Sequence, residues 1–226
     1  LDTDKILQDF AKMIRRNNGI IKTKTNVKNI KKLAKSLQVE TNKESFEGNV
    51  LINAAGAWVD EVALMANVQP LDFIPMRRSI ARVPSPTAAS TGNWPMVHGV
   101  GDRWYAKPDA GAWLISPCEE DPMHPHDAFA DDMVLAEGID RYSKMVNHEI
   151  TSLQTSWAGL RTFSQDHALV IGFDKSTKDF FWFAGQGGYG FQTAPAASQL
   201  ASELILSNAT SLAKATVEAL SPKRFN

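Results

Sequence analysis

The chain has 226 residues, 24 basic and 25 acidic side chains, and a formal net charge of -1. Hydrophobic residues make up 43% and charged residues 22%, which excludes a disordered class and gives no bulk attraction to nucleic acid or to an anionic membrane. The single cysteine, Cys118, excludes an internal disulfide framework and a cysteine-based zinc site. No run approaches the roughly 18 consecutive apolar residues of a membrane span. The opening Leu1-Asp2-Thr3-Asp4 has neither the basic nor the apolar part of a signal peptide, so a cytoplasmic location is expected. It also lacks an initiating Met, and we expect the chain to begin inside a longer protein.

A helix is predicted first. Asp2, Thr3 and Asp4 offer capping side chains, Ile6, Phe10, Met13 and Ile14 share one face, and Asn17-Asn18-Gly19 ends the run. Strand-like pieces follow at 20–24, 27–32, 37–41 and 49–53. Six lysines and no acid lie between residues 22 and 35. They read as a solvated strand face, since the stripe has no aromatic residue for base stacking. Val50-Leu51-Ile52-Asn53 then runs into Ala54-Ala55-Gly56, and Trp58–Ala66 reads as a helix. Such a strand–turn–helix joint can present backbone N–H groups to a ligand, or can need small residues only for packing.

Residues 67 to 157 differ in texture. Prolines recur, and short strand candidates lie at 76–83, 94–98, 103–106 and 112–116, as in an antiparallel sheet with irregular loops. Residues 119 to 140 carry eight acids and no Lys or Arg. A helix is predicted over 131–146 with Met133, Leu135 or Ala136, Ile139 and Met145 inward. From residue 157 the α/β texture returns, with apolar strands at 168–173 and 180–184. A glycine-rich turn, Gly185-Gln186-Gly187-Gly188-Tyr189-Gly190, comes next. A helix over 193–206 follows, with Pro195 in its first turn, then a short helix and a tail.

Gly185, Gly187 and Gly190 satisfy G-x-G-x-x-G, but no later strand carries an acidic ribose ligand, so this is not read as a nicotinamide loop. A glycine turn at a helix N-terminus favours negative charge and lets a flat ligand reach the backbone. A reduced flavin, which gains charge at N1 and the C2 carbonyl, is such a ligand. A chain reversal without a ligand is the alternative. His124-Pro125-His126 reads as an exposed loop, and no metal site is expected.

Several segments together resemble one family. Trp157-Ala158-Gly159-Leu160-Arg161, Gly172 and the run from Gly185 to Pro195 resemble the C-terminal signature of the D-amino-acid oxidase/glycine oxidase superfamily of FAD enzymes. Asn53-Ala54-Ala55-Gly56-Ala57-Trp58 resembles its central flavin-domain turn. Trp104-Tyr105-Ala106-Lys107-Pro108, Ser116-Pro117 and Glu119-Glu120-Asp121-Pro122 look most like the D-arginine dehydrogenase branch.

The resemblance implies an α/β (α+β) fold in which residues 1–66 and 158–226 belong to an FAD-binding domain and 67–157 form an inserted antiparallel substrate lobe. The family's pyrophosphate-binding Rossmann unit would lie N-terminal to this chain and be its partner within the same protein. By resemblance, Arg161 would bind the substrate carboxylate, Tyr105 would donate its hydroxyl to it, and Arg78 would point into the same pocket. Arg77, on the opposite face of a strand, would leave one of the two arginines facing solvent. Val27 would touch adenine through its backbone. Ala55 and Gly56 would line the FAD, and Gly187, Gly188, Tyr189, Gly190, Phe191 and Gln192 would wrap the isoalloxazine edge. Read without their surroundings, Arg161 could be a surface ion-pairing arginine and Tyr105 a sheet aromatic. The implied activity is FAD-dependent oxidation of D-amino acids by hydride transfer to flavin N5. A sarcosine or glycine oxidase-like activity and an inert fragment that binds no FAD are the alternatives. The fragment alone is expected to be inactive, a small amino acid is the expected substrate, a homo-oligomer is possible, and nucleic acid is not expected as a partner.

Overall fold

The computed structural model describes residues 2–87 and 90–225. They divide into two compact units: the residues up to Phe73 together with those from Phe163, and Ile74–Thr162. The first unit opens with helix α1, Thr3–Arg16. The Asp2 carboxylate accepts the Lys5 N–H at 2.9 Å and supplies the N-cap. No residue of α1 is buried, and its apolar stripe of Leu7, Phe10, Met13 and Ile14 lies open. Strands β1 (Val27–Lys32), β2 (Leu37–Thr41) and β3 (Ser45–Gly48) form an antiparallel meander. The expected strand at 20–24 is instead irregular, because it has no partner edge. The unanticipated β3 forms because Phe46 finds Val39 across the ladder. All six lysines of 22–35 are exposed, with Lys22 on Glu44 at 2.7 Å and Lys32 on Asp179 at 2.9 Å. Strand β4 (Leu51–Asn53) leads through a 3-10 turn at Gly56–Trp58 into α2, Val59–Met65.

The second unit is one sheet with a helix on it. Strands β5 (Ile74–Pro84), β6 (Val97–His98), β7 (Tyr105–Asp109), β8 (Ala112–Ser116), β9 (Asp121–Pro122) and β10 (Thr155–Phe163) take the order β10-β5-β8-β7-β6, with β9 also on β5. The β7–β8 hairpin turns on Ala110 and Gly111, both at positive φ (43° and 80°), the backbone a two-residue hairpin of this hand requires. Helix α3, Asp132–Ser143, is capped by Asp131, whose carboxylate accepts the N–H groups of Met133 and Val134. Its inward face is Leu135, Gly138, Ile139 and Tyr142. Met133 and Met145 were expected inward but are 71% and 60% exposed. The phase is set by Gly138, where a Cβ would come within 2.5 Å of Pro117. The helix packs on Ala81, Val83, Trp113 and Ile115. Strand β10 was not anticipated, because its glycine and arginine interrupt the alternation that marks a strand.

The chain then returns to the first unit. Strands β11 (Val170–Phe173) and β12 (Phe180–Ala184) pair antiparallel, and β12 pairs parallel with β4. Helix α4 (Gly190–Ile205), helix α5 (Lys214–Leu220) and a 3-10 turn at Pro222–Arg224 finish the fold. Helix α4 starts at Gly190 rather than 193, so the last glycine of the turn is helical and Pro195 stands in the second turn. Phe180 and Trp182 fill one side of the sheet with Val59, Ala63 and Phe73, while Ile171 and Phe181 meet Leu200 and Ala201 of α4 on the other. The fully buried Trp182 donates its indole N–H to Asp174 at 2.9 Å. No helix among the described residues is long and apolar enough to cross a membrane.

Candidate functional site

In the first unit, two turns leave the parallel pair at the same edge. Asn53 lies opposite Trp182, so the Ala54–Gly56 turn and the glycine turn after Ala184 both follow the carboxyl ends of β4 and β12. That edge is where open α/β sheets take ligands. Asn53, 2% exposed, shapes the first turn: its amide donates to the Val59 carbonyl at 2.8 Å and its oxygen accepts the Ala55 N–H at 3.3 Å. Gly56 follows at φ 58°.

The second turn is held from below. Gly185 and Gly187 have φ of 71° and 51°. A Cβ on Gly187 would stand 2.5 Å from the Phe163 ring, and one on Gly185 would stand 3.2 Å from Phe73 and 3.3 Å from the Ala168 carbonyl. Tyr189 N–H donates to the Gln186 carbonyl at 3.0 Å. The N–H groups of Gly187, Gly188, Gly190, Phe191 and Gln192 find no acceptor among the described residues. The side-chain amide nitrogen of Gln186 is sealed from solvent and also unpaired. A row of free donors at the start of a sixteen-residue helix is an anion-favouring surface. Tyr189 and Phe191 are both about half exposed beside it. Val27 begins β1 on the other sheet of this unit and is exposed.

In the second unit, Arg78, Tyr105 and Arg161 stand on β5, β7 and β10 of the one sheet. Tyr105 is buried against Ile80, Leu114 and Cys118, and its ring lies 5.8 Å from that of His98. Its hydroxyl makes no hydrogen bond to another described residue. Burial pushes the Cys118 thiol up, which keeps it protonated. The two neighbouring arginines are both engaged. Arg78 donates its Nε–H to the Glu119 carbonyl at 2.9 Å and pairs with Glu120 at 2.8 Å, while Arg77 pairs with Asp121 at 2.7 Å. Neither faces solvent, their side chains being 14% and 13% exposed, because β9 pairs with β5 and brings acids over both. Arg161 differs. It is half-buried, its Nε is sealed from solvent without an acceptor, and no acid among the described residues pairs with it. A guanidinium so placed is an unanswered cation.

A family model described as FAD dependent oxidoreductase, DAO, matches residues 1–204. The chain belongs to the DAO family of FAD-dependent oxidoreductases. A curated relative, FAD-dependent oxidoreductase domain-containing protein 1 of Xenopus laevis, is 25% identical over 185 residues, 72% of this chain and 36% of that protein. The fold is that of a solved glycine oxidase from Geobacillus kaustophilus (TM-score 0.75, 19% identity, 90% of this chain and 53% of that one). It is also that of an L-proline dehydrogenase from P. horikoshii (TM-score 0.78, 24% identity, 96% and 57%). The chain thus spans about a third of the curated relative and a little over half of each solved structure.

FAD is the cofactor of the DAO family, and the residues here fit its flavin ring. The five amides without an acceptor among the described residues suit a group that gains negative charge. The resemblance included Asn53 in its turn motif without giving it a role, and it did not reach the floor that 163–168 forms under the second turn. The role of 163–168 depends on contacts distant in sequence, with Gly185, Gly187 and Arg224.

Proposed function

We propose that the protein carrying this chain oxidises D-amino acids with FAD. The unit up to Phe73 and from Phe163 would serve the flavin, the unit Ile74–Thr162 would hold the substrate, and an N-terminal Rossmann segment would complete the cofactor site. The observation that carries this reading is Arg161, a half-buried guanidinium with no counter-ion among the described residues, in a chain of this family. Its planar fork would take an α-carboxylate bidentately and supply the charge the site lacks. Tyr105, with a free hydroxyl, would donate to the same carboxylate. Arg78 would stand beside the substrate in a fixed position, set by Glu119 and Glu120. Val27, Ala55 and Gly56 would line the nucleotide. The amides of 187–192 and the positive end of α4 would favour negative charge on the ring. FAD, when bound, would supply the two-electron acceptor for oxidation of the amino acid's α-carbon, and the imino acid released would hydrolyse to a keto acid and ammonia. The chain's contribution is orientation and electrostatics.

The full-length protein, assayed on D-, L- and N-methyl amino acids and glycine, should turn over the D series. Arg161→Ala should lower kcat/KM by about 10³-fold, as loss of a charged carboxylate contact does, with flavin content retained. Turnover confined to L-amino acids, or an Arg161→Ala variant with unchanged kcat/KM, would overturn the reading. Turnover of glycine and sarcosine with hydrogen peroxide release would favour the second reading, a glycine oxidase-like enzyme, which the glycine oxidase fold neighbour also supports. A protein that stays colourless with added FAD would be an inert fold.

A further inference from the structure

The glycine turn rests on the segment 163–168, and that segment is itself tied to the last residues described. Phe163 forms the floor under Gly187, and its ring lies 4.7 Å from His167, which holds φ 60°. Ala168 and Ser164 form the floor under Gly185. The segment is gathered around one carboxylate. Asp166 accepts the Ser164 hydroxyl at 2.9 Å and the Ala168 N–H at 3.1 Å. From the far end of the chain, Arg224 reaches the same carboxylate with two hydrogen bonds, at 2.6 and 2.8 Å, and donates a third to the Ala168 carbonyl at 3.0 Å. Arg224 is anchored in turn by the Ser221 carbonyl at 3.2 Å, and its guanidinium lies 4.2 Å from the centre of the Phe225 ring. Its side chain is only 14% exposed.

We propose that Arg224 is a positioning residue for the glycine turn: through Asp166 it fixes the backbone of 163–168, and so fixes the donors of 187–192 toward the flavin ring. The flavin part of this inference rests on the function proposed above. The Arg224 fork is suited to the task because it makes two parallel bonds to Asp166 and a third to the carbonyl that stands under Gly185. The Arg224 guanidinium and the hydrogen bonds from Ser164 and Ala168 hold the Asp166 carboxyl far below the usual carboxylate range, so the clamp stays charged through neutral and mildly acidic pH. A preorganised row of donors needs such outside support, since a free glycine turn samples many conformations.

The test uses the full-length protein with Arg224→Gln, Asp166→Asn and Arg224→Lys, and two readouts. The first is amide hydrogen exchange of the hydrogen-bonded amides of His167 and Tyr189, with strands β7 and β8 as the internal reference. Arg224→Gln and Asp166→Asn should speed exchange at His167 and Tyr189 by about tenfold and leave β7 and β8 unchanged. Arg224→Lys, a point charge without the fork, should recover part of the protection. The second is FAD itself. Its dissociation constant should rise about tenfold, the low end of what supporting contacts cost in metal sites, and its visible band should shift. Unchanged exchange at His167 and Tyr189 would overturn the positioning role, as would exchange that rises equally in β7 and β8. Altered exchange with a wild-type protein that takes no FAD would overturn the flavin reading while the clamp on the turn stands. Altered exchange with unchanged FAD affinity and spectrum would overturn the link between clamp and flavin.

Discussion

Single atoms decide how much change the glycine turn accepts. Gly187 combines a left-handed backbone with an aromatic ring where its Cβ would be. Gly187→Ala should therefore destabilise the fold by about 2–3 kcal/mol, summing the backbone penalty and the overpacking, read as a lower urea midpoint with an unchanged slope. Gly159 is the contrast, with no heavy atom within 4 Å of a built Cβ and no positive φ. Gly159→Ala should leave the midpoint unchanged or raise it slightly, because alanine loses less chain entropy on folding. The sequence shows both glycines in one signature and cannot separate them, since what distinguishes them is the Phe163 ring. The same holds for Arg77 and Arg78. Strand alternation places them on opposite faces, which the structure bears out only in part. Both are covered, because a two-residue strand too short to read from sequence brings Glu119, Glu120 and Asp121 across them.

At the scale of elements, boundaries marked by caps and turns were legible. The first helix has its Asp2 cap, β1, β2, β8 and β12 fall at their predicted limits, and Asp131 caps α3. Faces were less legible. Met133 and Met145 look as inward as Leu135 until Gly138 meets Pro117 and sets the rotation of α3. At the end of that helix Tyr142 and His148 share a buried hydrogen bond of 3.0 Å, with Trp104 edge-on to the Tyr142 ring. Burial holds the His148 imidazole below its ordinary value of 6.5, so the folded state keeps it neutral where the unfolded chain gains a proton. Its contribution is whole above that value and is lost as pH falls below it. Urea unfolding at stepped pH should show stability declining below about pH 6.5, and His148→Gln should flatten that part of the slope. A wild-type slope that survives the substitution would assign it to other groups.

For the molecule as a whole, the apolar stripe of α1 stands out as exposed hydrophobic surface on one helix face. Phe10, Met13 and Ile14 are 37%, 54% and 44% exposed on one helix face. Contiguous apolar surface of this kind drives association. Replacing Met13 and Ile14 with Glu in the 226-residue chain should reduce concentration-dependent light scattering and leave the melting temperature within about 1 °C, because α1 buries nothing. A drop of several degrees would mean the helix is packed after all. Composition gave no bulk attraction to nucleic acid, and the glycine run with the tryptophan–arginine signature pointed to the family.

Trp182 carries one practical consequence. Among the described residues it is the buried indole of its unit, with its N–H on Asp174, whereas Trp104 and Trp113 are buried in the other unit. Phenylalanine at 104 and 113 would leave Trp182 as the buried emitter. Its fluorescence maximum would then report the melting of that unit separately, moving toward longer wavelengths as water reached the ring.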